Sequence, residues 1–237
     1  MPDVGKLRSV SEWLDRCRSD LLSRGVVVRT TVFTSLAPGA DLARLGAELD
    51  VELLLTDANG ELQIEGVPNQ SLAAVLAEAT CDVALLVPRN PEPVGAVIVP
   101  FGGADNDWSA VELGAWLARA IDLPLRLAST EAVPDHGRRD ASRQLSHASL
   151  AVQGVMGVPA EPLLVPPGAD GMLDASRDAG LLVVGLSTRW RVEGLGPARL
   201  ELARHAAPPT IFVRRGQRPG GLAPPAALTR FTWSIRS

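Results

Sequence analysis

The chain has 237 residues, 46% apolar and 21% charged, the balance of an ordinary soluble globular protein with room for one large domain or two small ones. A net charge of −4 supplies no basic face for nucleic acid. Apolar runs such as "GLLVVGL" (180–186) are far shorter than the roughly 20 residues that cross a bilayer, and the N-terminus has no apolar signal core, so neither membrane insertion nor export is expected.

In chain order, "SEWLDRCRSDLLSRG" has helical period, and "VVVRTTVFTS" (26–35) reads as an extended stretch. A Pro-Gly break and a short helix ("ADLARLGAEL") lead to an apolar strand ("VELLLTD"), a loop, a helix ("SLAAVLAEA") and a strand ("DVALLVP"). The Pro-rich "PRNPEPV" (88–94) marks a linker. Beyond it come strand 96–101, a Gly-rich turn, helix 107–120 and strand 124–129. The remainder repeats the opening order: helix "DASRQLSHASLAVQG", extended "VPAEPLLV", helix "ADGMLDASR", strand "GLLVVGL", helix "PARLELARHA" and strand "PTIFVRR". Apolar strands alternating with helices indicate doubly wound α/β lobes, each a parallel sheet covered on both faces, with all strands running one way.

Self-comparison strengthens the impression of a repeat. "PGAD" stands at 38–41 and again at 167–170. A shift of about 128 lays 50–85 on 178–213 without a gap, with Asp50 on Asp178, Leu53-Leu54 on Leu181-Leu182, Gly66 on Gly194 and Leu72 on Leu200. Divergent duplication is the expectation. It divides the chain into a shortened lobe (1–90), a complete lobe (91–215) and a Pro/Gly-rich tail (216–237) whose Phe231 and Trp233 suggest docking. Nothing in the first lobe answers to the strand–helix–strand at 96–129. A lobe so shortened exposes sheet edges and is expected to pack on the second lobe or a partner chain. "PPTIFVRR" (208–215) is the strand expected to pair, between lobes or in a homodimer.

The order of elements in 95–215 resembles a universal stress protein domain. "VIVPFGGADNDWSAVELGAWLARA" is similar to that family's first strand, turn and helix. "ASRDAGLLVVGLSTRWRVEGLGPARLELARHAAPPTIFVRR" is similar to its fourth strand, glycine loop, last helix and last strand. Together the lobes resemble the tandem, degenerate stress-protein regions behind bacterial cation/proton antiporters. The resemblance implies a cytoplasmic regulatory module, with an adenine nucleotide (ATP or AMP) or a cyclic dinucleotide as ligand.

ATP-binding members hold adenine with an Asp at the end of the first strand. They hold phosphate with a G-x2-G-x9-G-[ST] loop, where glycines admit backbone N–H groups to the oxygens and a helix N-terminus favours the charge. Here Gly102 stands where that Asp belongs, Thr188 replaces the second glycine, and Gly196 is followed by Pro197, which has no N–H. ATP held in the family's manner is therefore not expected. The ligand candidates are Phe101, Gly102, Gly103 and Asp105 in the first turn, with Gly185, Ser187, Thr188, Arg189, Arg191, Gly194 and Gly196 in the loop. Arg189 and Arg191 with hydroxyls suit a phosphate, and Trp190 suits a base. Equally, Trp190 plugs the lobe interface between two solvated arginines. In the first turn, Asp105 or Asp107 contacts a ligand, or the glycines only turn the chain and Asp107 or Asn106 caps helix 107–120. The first lobe's corresponding loop, with Asp57, Glu61 and Glu65, does not suit phosphate.

No nucleophile–base pair, carboxylate pair or metal spacing stands out, so no enzyme is expected and no metal. Cys17 and Cys81 read as free thiols, and His136, His147 and His205 are scattered. Two functions stay open, a nucleotide-sensing module and a non-binding dimerisation scaffold.

Overall fold

A computed structural model describes residues 4–58, 66, 68–89, 94–130, 141–217 and 220–222. Linker positions 90–93, Glu61, Glu65, His136, Phe231 and Trp233 lie outside the described residues. The elements are α1 (Val4–Ser23), α2 (Pro38–Glu48), β1 (Leu53–Asp57), α3 (Gln70–Glu78), β2 (Asp82–Val87), β3 (Val97–Pro100), α4 (Asp105–Ala120) and β4 (Leu125–Thr130). They continue with α5 (Ala141–Met156), β5 (Ala160–Val165), α6 (Ala169–Ala175), β6 (Leu181–Gly185), α7 (Trp190–Glu193), α8 (Pro197–His205) and β7 (Thr210–Arg214).

The seven strands among the described residues join one sheet in the order β1-β2-β7-β6-β3-β4-β5. Neighbours run parallel throughout except β2 and β7, which are antiparallel with Val83 opposite Arg214 and Val87 opposite Thr210. The expected α/β architecture is present. The expectation that all strands run one way holds on each side of that joint and fails across it. Strand 208–215 makes the joint as anticipated, and it does so inside the chain.

Side chains alternate between the two faces of each strand. Ile98, Leu182, Val184, Phe212, Val83 and Leu85 enter the core beneath α2, α3, α6 and α8. Val97, Val99, Leu181, Val183, Ile211 and Val213 face the opposite core beneath α4 and α5. Leu222 joins the second core, and the Gly221 N–H donates to Glu112 Oε2 at 3.0 Å, so the start of the tail lies against α4.

Segment 26–35 departs from expectation, for it enters no strand. Its counterpart β5 is extended because it hydrogen-bonds β4, residue by residue from Leu125–Ala160 to Thr130–Val165. Among the described residues no strand of the first lobe corresponds to β4, and the same kind of sequence forms no ladder. Helix α1 is left over for the same reason. No described residue before α2 contributes to either core.

Candidate functional site

In the second lobe the chain runs from β3 outward through β4 to β5, then returns to place β6 on the other side of β3. The carboxyl ends of β3 and β6 therefore diverge, and such switch points are where open α/β sheets hold ligands. A pocket of about 280 Å³ occupies this position. Pro100, Phe101 and Gly102 follow β3, Ala128, Ser129 and Thr130 end β4, and Val184 and Gly185 end β6. Met172 and Leu202 add apolar wall, and Arg199 near the start of α8 brings the cation.

Local chemistry sets the rim. Asp107 lies in the first turn of α4, and its Oδ2 accepts from the Gly102 N–H at 2.9 Å and the Ala104 N–H at 3.0 Å. Burial pushes its carboxyl above the ordinary range, against the pull of those N–H groups and of Arg199. Asn106 ties two strand ends together: its Nδ2 donates to the Leu186 carbonyl at 2.7 Å, and its Oδ1 accepts from the Arg215 N–H at 2.9 Å. Both residues of the capping alternative are thus spent on structure. Arg199 Nε donates to the Gly185 carbonyl at 2.6 Å, which holds the half-buried guanidinium at the pocket wall. A Cβ on Gly185 would fall 2.5 Å from Asp107 Oδ1, so a glycine here lets α4 approach β6.

Of the candidates named from sequence, the pocket gathers Phe101, Gly102, Asp107 and Gly185. Gly103 lies beneath the Gln144 side chain, whose Nε2 donates to the Gly102 carbonyl at 2.8 Å. Asp105 is exposed and pairs with Arg215 at 3.4 Å. The loop candidates fold elsewhere. The Ser187 hydroxyl bonds Glu193, Thr188 and Arg189 are exposed, and Arg191 sits 4.7 Å over the Trp190 ring. Trp190 is buried in the core that also contains Leu72, Val75 and Leu76 of the first lobe, its place in the plug reading. Gly194 is buried, Gly196 precedes α8, and the Leu195 N–H donates to the Gly66 carbonyl across the lobes.

Arg199, Ser129 and Thr130 were not singled out from sequence. The signal for Arg199 was its place near the start of the last helix, directly after the loop that drew attention instead.

A second cavity of about 500 Å³ stands in the first lobe, lined among others by Gly39, Ala40, Gln70, Ser71 and Ala74. Shifts of 129 and 128 carry these onto Gly168, Ala169, Ala198, Arg199 and Leu202 of the first pocket. Ser71 stands where Arg199 stands, and the charged lining residue here is Glu78. The cavity shares the helical wall of its counterpart without the cation.

No family model matches the chain, and no curated protein does. Solved structures do. A universal stress protein from Archaeoglobus fulgidus DSM 4304 is 12% identical with a TM-score of 0.60, covering 92% of this chain and 84% of its own. A putative universal stress protein from Pseudomonas aeruginosa UCBPP-PA14 is 15% identical with a TM-score of 0.55, covering 85% and 77%. A universal stress protein from Archaeoglobus fulgidus in complex with dAMP covers 51% of this chain and 98% of its own, 20% identical with a TM-score of 0.41. The chain has the universal stress protein fold. Among the described residues, no helix is long and apolar enough to cross a membrane, and no cluster of His, Cys, Asp and Glu suits a metal.

Proposed function

We propose that the chain is a cytoplasmic regulatory module of the universal stress protein type that holds a compact adenine nucleotide, of the size of AMP, between β3 and β6. The carrying observation is the pocket itself, set at the switch point, with a half-buried arginine in a largely apolar wall. That wall also holds Ser129, Thr130 and the Asp107 carboxyl group, already engaged by backbone N–H groups. Its volume of about 280 Å³ lies at the lower end for small-molecule sites. The apolar walls of Phe101, Met172, Val184 and Leu202 suit a base, and Arg199 with the first turn of α8 suits one phosphate. Loop 187–196, which would cradle a longer phosphate chain, is spent on the lobe interface. The role is sensing and not catalysis.

A second reading has one specific observation behind it. The burial of Trp190 in the shared core and the Leu195–Gly66 hydrogen bond suit a non-binding scaffold, such as the soluble regulatory part of a cation/proton antiporter.

Thermal unfolding against AMP, ADP, ATP, cyclic AMP and cyclic dinucleotides separates the two. A ligand at one hundred times its dissociation constant adds about 2.7 kcal/mol. The sensing reading expects that shift with AMP or cyclic AMP, and its loss in Arg199→Ala. A flat response across the panel overturns it and favours the scaffold.

A further inference from the structure

Helix α1 carries a pattern that the folded chain does not use. Leu7, Val10, Leu14, Cys17 and Leu21 recur at alternating spacings of three and four, the a and d positions of a heptad repeat. In α5, Leu145, Ala148 and Val152 share the spacing of Leu14, Cys17 and Leu21 and are fully buried. Their cover comes from β4, β5 and α4. Among the described residues, no element of the first lobe corresponds to β4 or α4. Leu7, Leu14, Cys17 and Leu21 are only half-buried, Val10 and Trp13 are exposed, and none of them belongs to a core.

We propose that this seam is the contact surface for a second copy of the chain, whose α1 lies antiparallel against it. The repeat itself argues for a like partner, since a seam of period 3.5 fits a helix of the same period. The a positions are all leucine, and the d positions are the smaller Val10 and Cys17. An antiparallel pair sets each a opposite a d: Leu7 on Cys17 and Leu14 on Val10, each twice across the two-fold axis. Each of these four layers then joins one large and one small side chain, and Leu21 lies beyond them at the end of the seam. A parallel pair would alternate leucine layers with thin valine and cysteine layers. Antiparallel helices also oppose their dipoles, and the contact closes on itself as an isologous dimer.

The charges agree with this placement. Arg8, Glu12, Asp15 and Arg16 fall at the outward b, c and f positions, and the Arg8–Glu12 pair, 3.7 Å apart, lies away from the seam. Val26, Val27 and Phe33, all exposed, extend the apolar surface beyond the helix. The strand expected to join two chains, β7, is hydrogen-bonded by β2 on one side and β6 on the other, so association falls to another surface.

The test uses the full chain. Sedimentation or light scattering at tens of micromolar, a range set by the shortness of the seam, is expected to give the mass of a dimer. Leu14→Asp is expected to weaken it at least about tenfold with the melting temperature unchanged, because α1 lies outside both cores. Copper-catalysed oxidation fixes the orientation. Leu7→Cys is expected to form a covalent dimer through Cys17 of the partner copy, while the natural chain, whose Cys17 faces leucine, forms none. A monomer at these concentrations overturns the proposal, as does a dimer indifferent to Leu14→Asp or broken by Leu55→Asp on the open face of β1. A disulfide-linked dimer of the natural chain overturns the antiparallel arrangement.

Discussion

The backbone N–H of Leu195 donates to the carbonyl of Gly66 at 3.1 Å, joining loops that occupy nearly the same position in the two lobes. Gly66 holds φ +73°, and a Cβ there would fall 3.0 Å from Leu200 and 3.3 Å from Leu195. Gly66→Ala is expected to cost about 1–2 kcal/mol, the penalty of a left-handed backbone with a side chain, and to loosen the loop that buries Trp190. Urea unfolding measures the first effect, and a shift of tryptophan fluorescence reports the second.

Gly185→Ala strikes the pocket from beneath. The added carbon meets Asp107 Oδ1 and, at 2.7 Å, the backbone of Asn106 and Asp107. Helix α4 has to retreat, and overpacking of this kind costs about 2–3 kcal/mol. The expected result is a lower urea midpoint together with lost ligand binding. A neutral substitution would mean that α4 does not sit against β6 as described.

Arg199 separates charge from geometry. Arg199→Ala removes both the cation and the hydrogen bond to the Gly185 carbonyl, and is expected to weaken phosphate-bearing ligands at least about tenfold. Its stability cost is about 1 kcal/mol, the ordinary worth of a hydrogen bond. Arg199→Lys keeps the charge and is expected to restore part of the affinity. Titration calorimetry with AMP, beside urea unfolding, reads the two effects separately.

Asp107 makes stability depend on pH. Burial raises its carboxyl, so the folded protein holds that proton more tightly than the unfolded chain does. Below the ordinary carboxylate range both states are protonated and the cost of the buried charge is absent. As pH climbs through that range and past the raised native value, the cost enters in full and stability declines by that amount. Asp107→Asn is expected to remove this increment, so the urea midpoint of the variant falls less than that of the natural chain as pH rises from about 4 to 7.

The reach of the sequence follows from what each signal depends on. Strand runs such as "GLLVVGL" and "DVALLV" declare themselves because burial on both faces demands apolar residues at every position, and they appear as β6 and β2. "VVVRTTVFTS" carries the same local preference and forms no strand, because a strand exists only beside another and no described strand lies beside it. The site was legible in outline. Phe101, Gly102 and Gly185 mark the two strand ends whatever follows them, whereas the fate of Arg189 and Arg191 turned on where Trp190 would pack. Arg199 escaped notice because nothing local distinguishes an arginine in an amphipathic helix from a solvated one. Its hydrogen bond to Gly185 is a tertiary fact.

The antiparallel joint of β2 and β7 brings two parallel strand pairs, β1-β2 and β6-β7, back to back within a single polypeptide. Tethered partners meet at a fixed effective concentration, so dilution does not separate them as it separates loose subunits. Such a joint also frees its two sides to differ. One cavity can keep an arginine while the other holds Ser71, a divergence denied to an assembly of identical subunits.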